Sequence, residues 1–210
     1  MNRRGTLVVV SGFSGAGKGT LMKRLVEKYE QYALSISATT RKPRKDEVPG
    51  REYFFHTVEE FERLIAKEEL FEFARYIDNY YGTPKRYVEE QLKAGKDVVL
   101  EIEIQGALKV KDQMPDTLLI FVTPPTIEEL KYRLMRRGTE DDEAIESRLK
   151  RAVQEAEGMH LYDYLLVNSE LEECVDQMHM IIQSTHYETS RNEQYMNMLK
   201  NDLEVYRKGE

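Results

Sequence analysis

A glycine-rich segment near the start of the chain has the composition and spacing of a phosphate-binding loop. It fits the pattern G-x-x-x-x-G-K and consists of Gly12, Phe13, Ser14, Gly15, Ala16, Gly17, Lys18, Gly19 and Thr20. Glycines let a backbone turn tightly and bring several N–H groups onto one anion, and the lysine adds a charge that reaches the β- and γ-phosphates of a nucleotide. The segment predicts a nucleotide phosphate site, but it does not indicate which reaction takes place there.

The position after the loop lysine departs from the usual pattern. It normally holds Ser or Thr, whose hydroxyl meets Mg²⁺, whereas here it is Gly19 and the hydroxyl follows at Thr20. We therefore take Thr20 as the candidate metal contact. The alternative to a phosphate-binding loop at 12–20 is an ordinary glycine-rich turn with an exposed lysine. The flanking sequence disfavours it, because an apolar strand at 6–11 precedes the loop and a helix with apolar spacing at 21–29 follows it.

Two groups of basic residues lie further along the chain. The segment 38–51 is broken by Pro43 and Pro49 and carries Arg41, Lys42, Arg44, Lys45 and Arg51. It is either a solvated loop or a ligand-binding loop at the end of a strand, where open α/β sheets collect ligands. The second group comprises Arg133, Arg136, Arg137, Arg148 and Arg151. It is either a salt-bridged helical hairpin or a lid that carries arginines onto phosphates.

The elements that must position these residues alternate between strands and helices. Apolar runs predict strands at 6–11, 33–37, 97–103, 117–122 and 164–168, with helices between them and after them to about 206. This order indicates an α/β fold with a parallel sheet flanked by helices on both faces. An insertion between the second and third of these strands reads as strand 53–56, a capping box at Thr57, strand 70–76, a turn at 79–84 and a helix at 85–94.

The composition limits the classes of function. The chain has 210 residues, which suits one domain with insertions, and a net charge of -7, which disfavours a general nucleic-acid binder. Cys174 is the only cysteine, so no intrachain disulfide can form. No apolar run is long enough to span a membrane and no signal peptide opens the sequence, so we expect a cytoplasmic enzyme.

The chain resembles the guanylate kinases, a family of P-loop enzymes that transfer a phosphoryl group from ATP to GMP or dGMP with Mg²⁺ as cofactor. The resemblance covers about residues 5–185 and rests on four segments: 12–20, 37–53, 79–83 and 100–106. It implies a P-loop NTPase-type parallel sheet flanked by helices, with core segments 5–37, 95–125 and 160–186. It also implies an inserted strand-rich GMP-binding lobe at 38–94 and a helical lid at 126–159. An extra C-terminal helix would cover 187–207.

The resemblance also implies roles for individual residues. Those predicted to act in catalysis are Lys18, Arg41, Arg137 and Arg148. ATP would be bound by the loop 12–20, Arg133 and Asn168, with Thr20 near the metal. The GMP phosphate would be held by Ser37, Arg41, Arg44, Tyr53 and Tyr81, and the remaining GMP contacts would be made by Glu72, Thr83, Glu101 and Glu103. A carboxylate suits guanine because it only accepts hydrogen bonds and guanine offers two donors.

Three positions depart from the family pattern, and two other functions stay open. Gly19 replaces a hydroxyl residue, Glu103 stands where Asp is usual, and Ser169 replaces a common Asp. The scaffold could instead serve a kinase of another small phosphorylated acceptor, such as a ribose bisphosphate. It could also be an inactive module that binds phosphopeptides, although such modules typically lose the loop lysine and this chain keeps Lys18. The sequence leaves open whether the protein is a monomer or a homodimer.

Overall fold

The computed structural model describes residues 3–136 and 142–207. The first part of the chain forms β1 (Leu7–Gly12), α1 (Lys18–Lys28), β2 (Tyr32–Leu34), β3 (Ser37–Thr39), β4 (Tyr53–Phe55), α2 (Val58–Ala66), β5 (Leu70–Tyr76), β6 (Asn79–Pro84) and α3 (Lys85–Lys93). The second part forms β7 (Asp97–Glu101), α4 (Ile104–Gln113), β8 (Leu118–Thr123), α5 (Ile127–Arg136), α6 (Asp142–Glu157), β9 (Tyr164–Val167), α7 (Leu171–Thr185) and α8 (Glu193–Arg207).

The core is a parallel sheet with the strand order β2-β7-β1-β8-β9. β1 lies in the middle, where Leu7 pairs with Val98 of β7 and Val8 pairs with Leu118 of β8. The strands are almost continuously apolar because helices cover both faces of the sheet and leave little of β1, β7 or β8 exposed to water. The predicted α/β fold class is confirmed.

A second sheet, with the order β4-β3-β6-β5, forms the inserted lobe. Its β3 and β4 are parallel, whereas β6 runs antiparallel to both β3 and β5. The capping box predicted at Thr57 is confirmed, because Glu60 N donates to Thr57 Oγ1 at 3.2 Å and Thr57 N donates to Glu60 Oε2 at 2.8 Å.

Two predicted elements, one at the end of a core segment and one in the lobe, were wrong. Residues 33–37 do not form one strand: β2 belongs to the parallel sheet, while Ser37 begins β3 in the second sheet. Residues 79–84 are not a turn but strand β6, which forms a hairpin with β5 through Ile77 and Asp78. The first error arose because the strands that pair with β2 and β3 lie far away along the chain. The second arose because Gly82 and Pro84 are typical of a turn, whereas pairing with the adjacent β5 makes the segment a strand.

Helix α3 packs on the core although it lies within the predicted lobe boundary of 38–94. Val88 and Leu92 are buried with Leu7 and Val98 of the parallel sheet. At the other end of the chain, α8 begins at Glu193, later than predicted, because Thr189–Asn192 form a short 3-10 helix. Within residues 3–136 and 142–207, none of the helices is long and apolar enough to cross a membrane.

Candidate active site

The glycine-rich loop joins β1 to α1, as the sequence predicts, and its glycines are required by the backbone. Gly12, Gly15 and Gly17 have φ of 146°, 99° and 89°. A Cβ on Gly12 would lie 2.0 Å from the carbonyl oxygen of Val122, and one on Gly17 would lie 2.6 Å from the side-chain nitrogen of Asn168. Only glycine adopts such a positive φ without strain and has no Cβ to make these contacts. The loop therefore depends on close approach to the strands behind it.

Lys18 is held inside the loop that it terminates. Its Nζ donates to the carbonyl oxygens of Gly12 at 2.8 Å and Phe13 at 3.2 Å, and it lies 3.8 Å from Oε1 of Glu101. The ammonium thus stands at the junction of β1 and β7, at the carboxyl ends of the central strands. A fixed cation at that edge can meet an anionic ligand.

Arg133 and Asn168, both predicted on the ATP side, brace the loop from behind. Asn168 Nδ2 donates to the Ala16 carbonyl at 2.8 Å, and Arg133 Nη1 donates to the same oxygen at 3.3 Å. Arg133 also donates to the Asn168 carbonyl at 2.9 Å and to Glu129 at 2.7 Å. The two side chains therefore fix the loop from α5 and from the end of β9.

Of the two lid arginines predicted to act in catalysis, the structure describes Arg148. Arg148 of α6 donates to the hydroxyl of Ser14, so the structure brings it onto the loop. Arg137 lies outside the described residues.

Thr20, the candidate metal contact, is exposed in the first turn of α1 and does not line the cavity that the described residues form beside the loop. A Cβ on Gly19 would lie 3.8 Å from Glu101 Oε2, which is an ordinary van der Waals distance.

The cleft in front of the loop consists of two adjoining cavities. One, of about 600 Å³, reaches from Ser11, Ser14 and Lys18 toward the second sheet. The other, of about 370 Å³, lies between the second sheet and α4 and includes Glu72 and Gly106 in its wall. The residues that line both cavities are Ser37, Tyr53, Tyr76, Glu101, Ile102 and Glu103. Most of the residues predicted for the acceptor nucleotide therefore face one continuous space.

Glu72 and Thr83 form a polar pair at the smaller cavity. Thr83 is fully buried and its hydroxyl donates to Glu72 Oε1 at 2.7 Å. Burial raises the pKa of the Glu72 carboxyl, while the Thr83 hydroxyl and the charge of Lys109 act in the opposite direction. One Glu72 oxygen is thus occupied by Thr83, and the carboxylate retains acceptor capacity for a ligand.

The basic segment 38–51 brings Arg41 close to Tyr53 of β4, which in turn contacts Tyr81 of β6. The Arg41 guanidinium lies 5.3 Å from the ring centroid of Tyr53, and the Tyr53 and Tyr81 rings meet edge-on at 6.1 Å. Arg41 donates to Glu47 Oε1 at 2.8 Å, and this hydrogen bond lowers the pKa of Glu47. Arg44 is exposed, and its backbone N–H donates to Glu47 Oε2 at 2.8 Å.

Several cavity-lining residues were not among the predicted site residues. Tyr76 of β5 lines both cavities, and Arg151 and Glu155 of α6 line the larger one. Burial raises the pKa of the Glu155 carboxyl. Helical spacing could have identified the α6 residues, because Arg148, Arg151 and Glu155 lie three and four residues apart and share one face of the helix.

A parallel sheet that carries a P-loop, facing an arginine- and tyrosine-bearing second sheet across one cleft, defines the class of nucleoside monophosphate kinases. Comparison with known proteins identifies the family within that class. Residues 4–185 match the family model described as guanylate kinase. The chain is 48% identical over 204 residues to the guanylate kinase of Oceanobacillus iheyensis, which covers 97% of this chain and 99% of that protein.

Two further relatives agree with this assignment. The chain is 46% identical over 206 residues to the guanylate kinase of Lactococcus lactis, covering 98% of this chain and all of that protein. The crystal structure of guanylate kinase from Anaplasma phagocytophilum superimposes with a TM-score of 0.69 at 33% identity, covering 90% of each chain. The chain therefore belongs to the guanylate kinase family.

Proposed function

We propose that this protein transfers the γ-phosphoryl group of ATP to GMP or dGMP, giving ADP and GDP or dGDP, and so acts in purine nucleotide metabolism in the cytoplasm. The observation that carries the proposal is Glu72, which accepts a hydrogen bond from the buried Thr83 and lines an acceptor cavity continuous with the Lys18 loop. The predicted partners are the small molecules ATP and GMP or dGMP, with no role for nucleic acid or a membrane.

On the donor side, the loop 12–20 binds the phosphates of ATP through its backbone N–H groups. Lys18 and Arg148 place positive charge where the phosphoryl group is transferred, and Arg137 completes this set in the family pattern. Arg133 and Asn168 act by holding the loop, since their contacts are with its backbone carbonyl and with each other. Because phosphoryl transfer needs little covalent chemistry from side chains, this positioning and charge supply most of the catalysis.

On the acceptor side, Arg41, Arg44, Ser37, Tyr53 and Tyr81 bind the phosphate of GMP. Arg41 reaches it after exchanging part of its contact with Glu47 for the phosphate, which offers more acceptor oxygens. Glu72 accepts hydrogen bonds from guanine N1–H and the 2-amino group, with Thr83, Glu101 and Glu103 completing the base site. Adenine lacks this pair of donors, so it leaves a partly buried carboxylate unpaired and is rejected.

Magnesium fits the oxygen donors at the donor edge. Mg²⁺ is usually held by one or two carboxylates, waters and the substrate phosphates, and Glu101 lies 3.8 Å from Lys18 at this edge. In the part of the chain that the structure describes, no cluster of three or more Asp, Glu, His or Cys side chains is placed to hold a metal unaided. The ion would therefore enter with ATP and neutralise charge between its β- and γ-phosphates, with Thr20 as the predicted protein contact.

The experiment is an ADP-release assay with ATP, Mg²⁺ and a panel of GMP, dGMP, AMP, CMP and UMP. We expect kcat/KM for GMP to exceed that for AMP by about 10³-fold or more, and Glu72→Gln to lower kcat/KM for GMP by about 10²-fold. The control is Glu60→Gln in the same lobe, whose carboxylate caps α2 and does not line the cleft. Equal kcat/KM for GMP and AMP would refute the proposal. No transfer to any nucleotide would favour the phosphopeptide-binding alternative.

A further inference from the structure

Helix α6 contacts both halves of the cleft through two arginines on one face. Arg148 donates to the hydroxyl of Ser14 in the donor loop. Arg151, one turn further on, forms an ion pair with Oε1 of Glu103, which lies on the acceptor side. A single rigid element therefore joins the loop predicted for ATP to a carboxylate predicted for the acceptor base.

The position of Arg151 is set by more than one contact. Its Nε also donates to Glu155 Oε1 at 3.2 Å, and Glu155 is largely buried, with 18% of its side chain exposed. The end of α6 packs against the residue after Glu103, since a Cβ on Gly158 would lie 3.0 Å from Cδ1 of Ile104. Arg151 is thus held between an α6 carboxylate and the start of α4, next to the acceptor cavity.

Glu103 can serve Arg151 and a ligand at the same time. A carboxylate has two oxygens with about four acceptor positions. Arg151 pairs with Oε1, and 76% of the Glu103 side chain stays exposed. Glu103 precedes α4 and lines the smaller cavity, which Arg151 does not line. A base that donates to the other oxygen would therefore orient the carboxylate, and the carboxylate would orient Arg151 and the helix that carries Arg148.

We propose that Arg151 is a positioning residue that couples the two substrate sites, so that occupancy of the acceptor cavity holds α6, and with it Arg148, in its contact with the donor loop. The proposal rests on the proposed function, because it assigns Glu103 to the acceptor base. By linkage, the coupling is reciprocal: a donor nucleotide bound at the loop tightens acceptor binding by the same factor. Arg151 does not touch the transferred group, and its effect passes through Glu103 and α6.

The experiment measures this coupling directly. The dissociation constant of GMP is determined by isothermal titration calorimetry with and without a saturating non-hydrolysable ATP analogue and Mg²⁺, and the ratio is the coupling factor. We expect the analogue to tighten GMP binding at least about fivefold in the wild type. Arg151→Ala should reduce that factor by about threefold to fivefold, the range of a single charge pair in a small network. Arg151→Lys should restore part of it.

Two further variants separate coupling from a general effect of charge or folding. Glu103→Ala should lower the factor as much as Arg151→Ala, and the double variant should lower it no further, because both remove one interaction. Lys150→Ala is the matched control, since Lys150 pairs with Glu146 of the same helix at 2.8 Å and does not reach across the cleft. Thermal unfolding of each variant checks that α6 remains folded, and Arg151→Gln replaces Arg151→Ala if that variant fails to fold.

The results divide cleanly. A wild-type factor of one, an unchanged factor in Arg151→Ala, or an equal loss in Lys150→Ala would overturn the proposal. Wild-type turnover with GMP and an unchanged factor in Arg151→Ala would overturn only this inference and leave the proposed function intact. Absence of GMP turnover in the wild type would overturn both.

Discussion

The two halves of the cleft are built from different parts of the chain. The donor loop is one run of nine residues, 12–20, and Lys18 donates hydrogen bonds to the Gly12 and Phe13 carbonyls of that same run. The acceptor cavity takes its residues from four strands of the second sheet and from the segment after β7. The donor half is thus specified mainly by backbone geometry, and the acceptor half by side chains brought together by the fold. A backbone site tolerates little change in shape, whereas a side-chain site can lose selectivity without losing its shape.

Lys18→Met tests whether the two halves are independent and carries the largest expected effect. It removes the loop cation, so we expect kcat to fall by about 10²-fold to 10³-fold. Lys18 lies 3.8 Å from Glu101, which faces both cavities, so GMP binding in the absence of ATP should change by no more than about fivefold, the limit for one partly exposed ion pair. Steady-state kinetics and calorimetry measure the two quantities. A large loss of GMP affinity would show that the halves are not separate in the way described here.

Gly12→Ala tests the backbone origin of the donor half. A Cβ at this position would lie 2.0 Å from the Val122 carbonyl, on a residue with φ of 146°. We expect the free energy of unfolding to fall by about 2 kcal/mol or more. Urea denaturation measures the loss.

Gly19→Ala is the control for this substitution, because its Cβ would lie at an ordinary contact distance of 3.8 Å from Glu101 Oε2 and Gly19 lies within α1. It should leave the free energy of unfolding unchanged or raise it by up to about 1 kcal/mol, since alanine favours a helix. Equal losses for the two alanines would contradict a role for close backbone approach at Gly12.

Glu72→Gln tests the side-chain origin of the acceptor half through pH and has the smallest expected effect. Burial raises the folded-state pKa of Glu72 above its usual 4.5. Its favourable contribution to stability is therefore present below the unfolded pKa and is lost as pH rises through the folded pKa. At pH 7 the ionised carboxylate costs stability, so Glu72→Gln should be slightly more stable than wild type there, and the difference should vanish near pH 4.

Thermal unfolding across pH 4–7 measures this difference. In the same pH range, GMP binding should weaken toward acid more in the wild type than in Glu72→Gln. The phosphate of GMP titrates equally in both measurements, so the difference between the two proteins reports on Glu72. A Glu72→Gln protein that is less stable than wild type at pH 7 would contradict this prediction, because it would show that the ionised carboxylate stabilises the folded protein.

The contrast between the halves also explains what the sequence could predict. The loop 12–20, most strands of the parallel sheet and the capping box at Thr57 were predicted because each is marked by a local sequence pattern. Strand β3 was merged with β2 because only their distant partners make them separate strands, and β6 was predicted as a turn because Gly82 and Pro84 give it the composition of one. The residues of the acceptor half were predicted through resemblance to a family, since a tyrosine such as Tyr81 has no local feature that distinguishes it.

The residues missed in α6 show the same limit in another form. Arg151 was noticed only as part of a basic group, because its partner Glu103 lies on a different element. Its shared face with Arg148 and Glu155 was visible in the spacing, but which surface that face meets depends on how α6 packs. Spacing therefore reveals the face of a helix, and only the tertiary structure reveals its partner.

The central place of β1 has a consequence for synthesis of the protein. β1 leaves the ribosome before both of its partner strands, because Val98 and Leu118 lie about 90 and 110 residues further along the chain. At usual translation rates, roughly 5 to 20 s pass before those partners exist. During that interval Leu7, Val8, Val9 and Val10 form an apolar segment with both strand edges unpaired, although in the finished protein they are almost fully buried. The strand that presents the phosphate loop therefore needs protection from aggregation while the chain is being synthesised.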